Sequence, residues 1–569
     1  MKTSELLMAV MLFCLLQSQG QAQNQQGSNP EFEAAMARAT ALVGQGSFDD
    51  ALAVLDSLAI AMPDNFRVWS GKGRTLNAAG KYKKAIPVFE KALKINSDDG
   101  RTWFGLGVAQ INTGKKDAGF ESLIKAKETG TINTTNVNAF PIYQKIEGDP
   151  RVAKLFPTKE EFADPFVEDT KIIHEWAGEA EGDQFGWIAR NLGDVDNDGI
   201  DDMVTSAPTN DEGGNNAGKI YVYSGKSGKL LWSALGEAEN GRLGMGVEYG
   251  GDINNDGTPD VVAAAPFINK AYAYSGKDGS VIHRFEGDST GGFGLHLSGV
   301  GDFNGDGYGE ILIGEPYQVF NAPINGDKIT HPGKAHLFSG KDGKSLMVWE
   351  GEETDDAFGT AVAGRVLEGH KFLMVGAPNA GPGNGGRTYV YKDIKQEPDF
   401  VLEADSTGAR FGGMFMSIIG DMNADGIHDL YSSDWPNNAN GQGTGRAYVF
   451  SGKDGEVLHT LTGETPGEGF GIGVSDCGDV DGDGYADMAV GSWQFSGAAP
   501  GGGKVRLHSG KDGSLIRAWT CKTMGDTFGF DTTGLGDVDG DGTIDLLITS
   551  AWSAVKGFRS GRVFVIRSL

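Results

Sequence analysis

The 569-residue chain is poor in cysteine, and this scarcity removes one class of protein from consideration. Its cysteines are Cys14, Cys477 and Cys521, and Cys14 lies in an N-terminal apolar segment. Small domains that depend on disulfides need many more. Basic residues are also few, since 49 Lys and Arg face 77 Asp and Glu for a formal net charge of −28. Nucleic-acid binding needs a basic surface, so that function is excluded.

Long apolar runs are confined to the N-terminus. Lys2 precedes an apolar segment from Leu6 to Leu16, and Gly20-Gln-Ala22 follows as a small-residue cleavage site. This order is typical of a signal peptide, and the run is too short to span a bilayer. We therefore predict a signal peptide at 1–22 and a secreted, periplasmic or cell-surface protein. A lipid anchor on Cys14 stays an open alternative.

Residues 29–130 have the composition and spacing of paired helices. Gly46, Gly80 and Gly114 recur every 34 residues, and Trp69 and Trp103 repeat at the same interval. This period resembles the tetratricopeptide repeat, in which each unit is a helix–turn–helix. About three units fit, and the resemblance implies a possible peptide partner. A plain helical bundle without a binding groove is the alternative, and 131–168 is predicted to be a packed connector.

From 169 to 569 one motif set recurs seven times, and 89 glycines in the chain supply its many tight turns. Each unit has an aromatic-glycine pair or its variant, then three apolar strands and a fourth that ends near an aromatic residue. Four short antiparallel strands in each of seven units predict a seven-bladed β-propeller. The pairs are Phe185-Gly186, Leu243-Gly244, Phe293-Gly294, Phe358-Gly359, Phe411-Gly412, Phe470-Gly471 and Phe528-Gly529.

The ends of this region predict how the ring closes. The seventh unit stops after a third strand at 561–567, so it has no fourth strand of its own. Upstream, Lys171 to Trp176 has the layout of a fourth strand and precedes the first Phe-Gly pair. We predict that 171–176 completes the seventh blade by pairing with 562–567.

Six of the seven units contain an acidic loop of the form D-x-[DN]-x-D-G-x-x-[DE]. Side-chain oxygens at positions one, three, five and nine, and the carbonyl at position seven, can converge on one ion, while glycine at position six allows the turn. Hard oxygen ligands favour Ca²⁺, so we predict about six calcium ions in a structural role. The predicted ligands are Asp194, Asp196, Asp198, Ile200, Asp202; Asp252, Asn254, Asp256, Thr258, Asp260; Asp302, Asn304, Asp306, Tyr308, Glu310; Asp421, Asn423, Asp425, Ile427, Asp429; Asp479, Asp481, Asp483, Tyr485, Asp487; and Asp537, Asp539, Asp541, Thr543, Asp545.

Phe-Gly, the acidic loop and an Ala-Pro pair such as Ala207-Pro208 occur in this order, which resembles the FG-GAP repeat of the integrin α N-terminal propeller. The fourth unit departs from the pattern, because 363–370 replaces its loop. The resemblance implies calcium loops on one face and partner-binding loops on the other. Those binding loops would be 208–218, 316–333, 378–386, 435–445, 493–503 and 552–561.

Three of the predicted binding loops begin with a tryptophan: Trp435, Trp493 and Trp552. These side chains could stack on sugar rings or anchor a peptide, or they could instead plug the central channel. Gly287-Asp-Ser289-Thr-Gly291 matches a hydrolase motif, but that motif needs a strand-to-helix turn, which an all-β repeat does not provide. The nine histidines have no spacing typical of zinc.

The predicted function is therefore non-catalytic binding. We expect an exported calcium-binding propeller that binds a protein or glycan in adhesion or assembly, with helical repeats for a second partner. One alternative is a hydrolase or lyase whose active site lies in the propeller channel. Another is a passive assembly scaffold that is recruited through its helical repeats.

Overall fold

The computed structural model describes residues 30–288, 291–319, 322–324 and 328–569. The predicted signal peptide, Cys14 and Ser289 lie outside these residues. The described chain forms two compact units: a helical unit of 30–164 with 523–525, and a β unit of 165–522 with 526–569. No described helix has the length and apolarity needed to cross a membrane.

Three helical hairpins begin the helical unit, at the period that the sequence predicts. Phe89 requires glycine at two positions of this unit, since a Cβ on Gly73 or Gly105 would lie 2.5 Å from its ring. The helices can therefore pack closely around one large side chain. They are α1 Pro30–Gly44, α2 Phe48–Ala61, α3 Phe66–Ala78, α4 Tyr82–Ile95, α5 Gly100–Asn112 and α6 Lys116–Glu128.

The segment that follows continues this unit. It contains 3-10 helices at Thr134–Ala139 and Pro150–Leu155 and short helices α7 Tyr143–Ile146 and α8 Lys159–Ala163. Its apolar residues Val137, Ile146 and Leu155 are buried with Phe104 and Phe120 of the third hairpin. The segment is thus part of the helical core.

The β unit is a seven-bladed propeller of four-stranded antiparallel sheets. Blades one and two contain β2 Ala189–Gly193, β3 Asp202–Ala207, β4 Lys219–Tyr223, β5 Leu230–Leu235 and β6 Gly246–Gly251, β7 Asp260–Ala265, β8 Lys270–Tyr274, β9 Val281–Glu286. Blade three contains β10 Leu297–Gly301, β11 Glu310–Glu315, β14 Lys334–Phe338 and β15 Ser345–Glu350, with a small hairpin of β12 Gln318–Val319 and β13 Ala322–Pro323 in one loop.

The other blades repeat this plan. Blade four contains β16 Val362–Leu367, β17 His370–Ala377, β18 Arg387–Tyr391 and β19 Phe400–Glu403. Blade five contains β20 Met416–Ile419, β21 Asp429–Asp434, β22 Arg446–Phe450 and β23 Val457–Thr462, and blade six contains β24 Phe470–Asp476, β25 Met488–Ser492, β26 Lys504–His508 and β27 Leu515–Thr520.

Blade seven joins both ends of the β unit. It contains β28 Thr532–Gly536, β29 Asp545–Ser550, β30 Arg562–Ile566 and, as its outer strand, β1 Ile172–Ala177. β1 pairs antiparallel with β30, from Ile172 opposite Ile566 to Ala177 opposite Arg562. The predicted closure of the ring is confirmed.

The propeller core lies along the second and third strands. The second strands β3, β7, β11, β21 and β29 are buried along their whole length. The Phe-Gly pair packs against the third strand of its own blade, as Phe185 does on Tyr221 with ring centroids 5.3 Å apart. Gly359 has a φ of +83°, and a Cβ there would lie 2.0 Å from the Lys334 carbonyl oxygen. Glycine is required at that position for both reasons.

Candidate metal centres and binding face

The six acidic loops share one hydrogen-bonding scheme. In blade one, Asp194 accepts hydrogen bonds from the backbone N–H groups of Asp198 and Gly199, both at 2.9 Å. The corresponding bonds to Asp252, Asp302, Asp421, Asp479 and Asp537 measure 2.7–3.2 Å. The carboxylate at position one therefore shapes each loop.

The carboxylate at position nine anchors the loop to the propeller. One of its oxygens accepts the N–H of position two at 2.8 Å in all six loops. These side chains are buried, and burial raises the pKa of Asp202, Asp487 and Asp545 to about 6 and that of Asp260, Glu310 and Asp429 to about 7. Each anchor thus holds a negative charge at a cost that a nearby cation would offset.

Carboxylates converge within individual loops. One ligand oxygen from each residue lies within 4.8 Å of the others in three groups: Asp194, Asp196 and Asp202; Asp479, Asp481 and Asp483; and Asp537, Asp539 and Asp545. The loops of blades two, three and five have Asn254, Asn304 and Asn423 at position three. In the loops of blades one, six and seven the structure thus brings three of the predicted side chains together. The role of all the predicted residues as calcium ligands, including the position-seven carbonyls, stays a prediction.

Unpaired acceptor atoms make the loops suitable for a cation. Asn254 Oδ1, Asp539 Oδ1 and Asp545 Oδ1 are buried and have no hydrogen-bond partner among the described residues. In blades one, two, five and six the position-nine oxygen that corresponds to Asp545 Oδ1 accepts an N–H from Gly225, Gly276, Gly452 or Gly510, in the turn after the third strand. In blade seven Asp545 Oδ1 accepts no such bond from the described residues. An oxygen-rich site with unpaired acceptors fits a hard cation such as Ca²⁺.

The loop of blade seven differs because basic side chains of the same unit already contact it. Lys171 Nζ lies 2.6 Å and Arg567 Nη2 lies 2.8 Å from Asp539 Oδ2. Arg567 also contacts Asp541 at 2.6 Å. In blades one, three and six a lysine comes only within 3.7–4.0 Å of the position-five carboxylate. Two cations therefore offset part of the charge of the blade-seven loop.

Blade four has a tight hairpin where the other blades have the acidic loop. β16 and β17 pair through to Leu367 opposite His370, so Glu368 and Gly369 alone form the turn. The departure that the sequence indicates for this unit is therefore present in the structure.

The tryptophans of the predicted binding loops lie in the central core. Trp493 and Trp552 are each 5% exposed, and their ring centroids are 4.8 Å apart. Phe530 packs on Trp493 at 5.3 Å, and the half-buried Trp435 packs against the same cluster. This burial favours the channel-plug alternative over a stacking platform for sugars.

A ring of inter-blade ion pairs is a feature that sequence reasoning missed. In each pair, an acidic residue that follows the outer strand of one blade contacts a basic residue of the next blade. The pairs are Glu179 with Lys219 at 3.0 Å, Glu237 with Arg284 at 2.9 Å, Asp288 with Lys334 at 3.0 Å, Glu352 with Arg387 at 3.5 Å, Asp405 with Arg446, and Glu464 with Lys504 at 2.9 Å. We call these pairs the blade clasps. The signal was an acidic residue five or six positions before the aromatic-glycine pair in six units, where the seventh has Lys522.

Three charged side chains on or beside the innermost strands form ion pairs with one another. Arg190 of β2 contacts Glu248 of β6 at 2.8 Å and also pairs with the buried Asp531, which precedes β28. This arrangement joins three neighbouring blades and favours a structural role.

Comparison with known proteins gives two repeat types. The tetratricopeptide repeat family matches residues 36–100, and the FG-GAP repeat family matches 185–223 and 293–328. The chain carries tetratricopeptide repeats followed by FG-GAP repeats.

The FG-GAP region is similar to integrin α chains. Integrin alpha-6 of Gallus gallus is 31% identical over 158 residues, covering 25% of this chain and 14% of the relative. Integrin alpha pat-2 of Caenorhabditis briggsae is 28% identical over 232 residues, with coverages of 36% and 18%. Integrin alpha-2 of Bos taurus is 29% identical over 272 residues, with coverages of 44% and 21%. The matched part thus spans at most about a fifth of these relatives.

A solved structure also matches part of the chain. It is the type III secretion translocator chaperone SycD of Yersinia enterocolitica, at 20% identity and a TM-score of 0.18, covering 22% of this chain and 90% of the chaperone.

Proposed function

We propose that this protein is exported and acts as a non-catalytic binding module whose FG-GAP propeller is held in shape by about six calcium ions. The observation that carries the proposal is the set of six acidic loops with one shared hydrogen-bonding scheme. In the loops of blades two and seven, the buried acceptors Asn254 Oδ1 and Asp545 Oδ1 have no donor among the described residues. Calcium would occupy the loops through the residues predicted as ligands. Its role is to neutralise carboxylates and fix the loop shape.

The binding face is proposed to be opposite the calcium loops. In an antiparallel blade, the connection between strands one and two and the connection between strands two and three lie at opposite ends of strand two. The second set of connections includes exposed amides on different blades, such as Asn215, Asn384 and Asn438. Amide groups both donate and accept hydrogen bonds, as recognition of a protein backbone or of sugar hydroxyls requires.

The helical repeats are proposed to bind a second protein partner through an acidic segment. Arg74 on α3 is exposed and Arg101 on α5 is half-buried, on the first helices of two successive hairpins. Burial and the nearby positive charge of Arg74 lower the pKa of Arg101 to about 10. Asp99 offsets part of the positive charge of this pair, and carboxylates of a partner would offset the rest.

The test combines calcium titration with a binding screen on the full chain. Calcium should bind with about six equivalents by isothermal titration calorimetry, and a glycan array and a cell-surface protein array should be probed with and without chelator. Asn215→Arg should weaken binding on the proposed face, while Ser227→Arg on the calcium face should not. Failure of calcium to bind would refute the calcium role, and product formation from a bound glycan would favour the enzyme alternative.

A further inference from the structure

The hairpin of blade four brings together side chains that no calcium loop uses. His370 begins β17 directly after the Glu368-Gly369 turn. His428 occupies position eight of the acidic loop in blade five, between the predicted ligands Ile427 and Asp429. The His370 and His428 ring centroids are 6.0 Å apart, with an angle of 69° between the rings. The two histidines therefore meet across the boundary between two blades.

A carboxylate lies beside this pair. Glu368 Oε2 is 3.9 Å from His428 Nε2, and the Glu368 side chain is 85% exposed. Glu368 has a φ of +49°, in the left-handed region that a residue other than glycine seldom adopts. The turn that replaces the calcium loop thus places an exposed acidic side chain next to two imidazoles.

One imidazole nitrogen of the pair lacks a partner. His370 Nδ1 is buried and makes no hydrogen bond among the described residues. His428 Nδ1, by contrast, lies 3.3 Å from the Ile419 carbonyl oxygen, which leaves its Nε2 directed to other partners. A buried nitrogen without a donor or acceptor is unfavourable, and a metal ion is one species that satisfies an imidazole lone pair.

We propose that His370, His428 and Glu368 form a transition-metal site, of the Zn²⁺ type, that bridges blades four and five. An imidazole bound at about 2.0–2.1 Å puts its ring centre about 3.2 Å from the ion, so two rings on one tetrahedral ion lie about 5.2 Å apart. The observed separation of 6.0 Å is larger, so the two rings must approach each other by about 0.8 Å when the ion binds. The exposed Glu368 supplies a third ligand by rotating toward the pair, and water completes the coordination.

Ligand chemistry separates this site from the acidic loops. Imidazole nitrogen suits Zn²⁺, Cu²⁺, Ni²⁺ and Co²⁺, whereas carboxylate and carbonyl oxygens suit Ca²⁺. The two kinds of site therefore prefer different ions, calcium in the six acidic loops and a transition metal at the boundary of blades four and five. The ion would then tie blade four to blade five.

The experiment titrates Zn²⁺ into the full-length protein under saturating Ca²⁺, with isothermal titration calorimetry as the readout. Wild type should bind one equivalent, and Co²⁺ in its place should give the visible absorption bands of a nitrogen-ligated ion. His428→Ala and His370→Ala should each weaken Zn²⁺ binding at least about tenfold. His428→Ala copies Ala486, which occupies the same loop position in blade six.

The control is His331→Ala, which removes an exposed histidine of blade three and should leave Zn²⁺ binding unchanged. Glu368→Gln changes an exposed side chain, so it tests the site even if a histidine variant does not fold, and it should also weaken binding. Absence of Zn²⁺ binding by wild type overturns the proposal. So does wild-type affinity in His370→Ala, His428→Ala or Glu368→Gln.

Discussion

Glu175 of β1 and Phe564 of β30 lie opposite each other in the antiparallel ladder that closes the propeller ring. β1 reaches blade seven from the N-terminal end of the β unit, whereas β28, β29 and β30 come from its C-terminal end. A strand from one end thus completes a sheet built by the other. An unpaired strand edge would be exposed if this ladder failed.

The first prediction concerns that ladder. Glu175→Pro should lower the melting temperature of the full chain more than Thr460→Pro does, because proline disrupts strand pairing. Thr460 has the matching register in blade five, opposite Tyr448, but its strand is tied to its sheet by a short turn. Differential scanning calorimetry measures the two shifts, with Glu175→Gln as a control for the lost charge. Equal shifts for the two proline variants would contradict a special role of the β1–β30 pairing in closing the ring.

The second prediction concerns a single calcium loop. Asp483→Asn in blade six should remove one equivalent of bound calcium and reduce stability at about 1 mM calcium by about 0.4–1.4 kcal/mol, as expected for a site of Kd near 10⁻⁴–10⁻³ M. Calorimetric titration and melting curves measure both effects. Asp50→Asn, an exposed position in the helical unit, removes the same charge and should change neither. Full calcium stoichiometry in Asp483→Asn would count against the loop as a site.

The third prediction concerns the loop of blade seven. Lys171 and Arg567 already contact Asp539, so calcium must compete with them for that carboxylate. Arg567→Gln should strengthen calcium binding at this loop, by a few-fold, because one competing cation is gone. A calcium titration of Arg567→Gln against wild type measures the change, with Arg38→Gln in the helical unit as the charge-matched control. Weaker calcium binding in Arg567→Gln would show that the arginine supports the site instead.

The fourth prediction concerns the blade clasp at Glu464. Burial opposes ionisation of this carboxyl, but hydrogen bonds from Arg506 and Lys504 overcome that effect and lower its pKa to about 2. The pKa of Glu464 is lower in the folded state than in the unfolded state. The ion pair therefore contributes its full stabilisation of the fold at pH values above the ordinary pKa range of Glu, and this contribution is lost as the pH falls toward 2.

Glu464→Gln should therefore melt below wild type at pH 7, with a gap that narrows as the pH is lowered from about 4.5, the ordinary pKa range of Glu. Thermal melts at several pH values measure the gap. Glu397→Gln, an exposed position in blade four, should show no such gap. A gap that stays constant down to pH 3 would mean that ionisation of Glu464 is not the cause.

Features that depend on a few neighbouring residues could be predicted from the sequence. In each acidic loop all the side-chain ligands lie within nine residues, so Asp194 to Asp202 specifies both the turn and its oxygens without reference to the rest of the chain. The 34-residue period likewise predicts the helical hairpins, because each hairpin repeats the same local pattern. Ring closure by 171–176 could also be predicted, since the missing strand and the surplus strand share one layout.

The tertiary structure alone decided which distant side chains meet. Trp493 and Trp552 begin loops that the sequence assigns to a binding face. In the folded ring their side chains are buried in the core, with ring centroids 4.8 Å apart. His370 and His428 are 58 residues apart, close to one repeat, and neither belongs to a local metal motif. Their contact depends on how one blade packs against the next. This packing depends on the whole closed ring. The local sequence of a strand does not specify which residues of the adjacent blade it contacts.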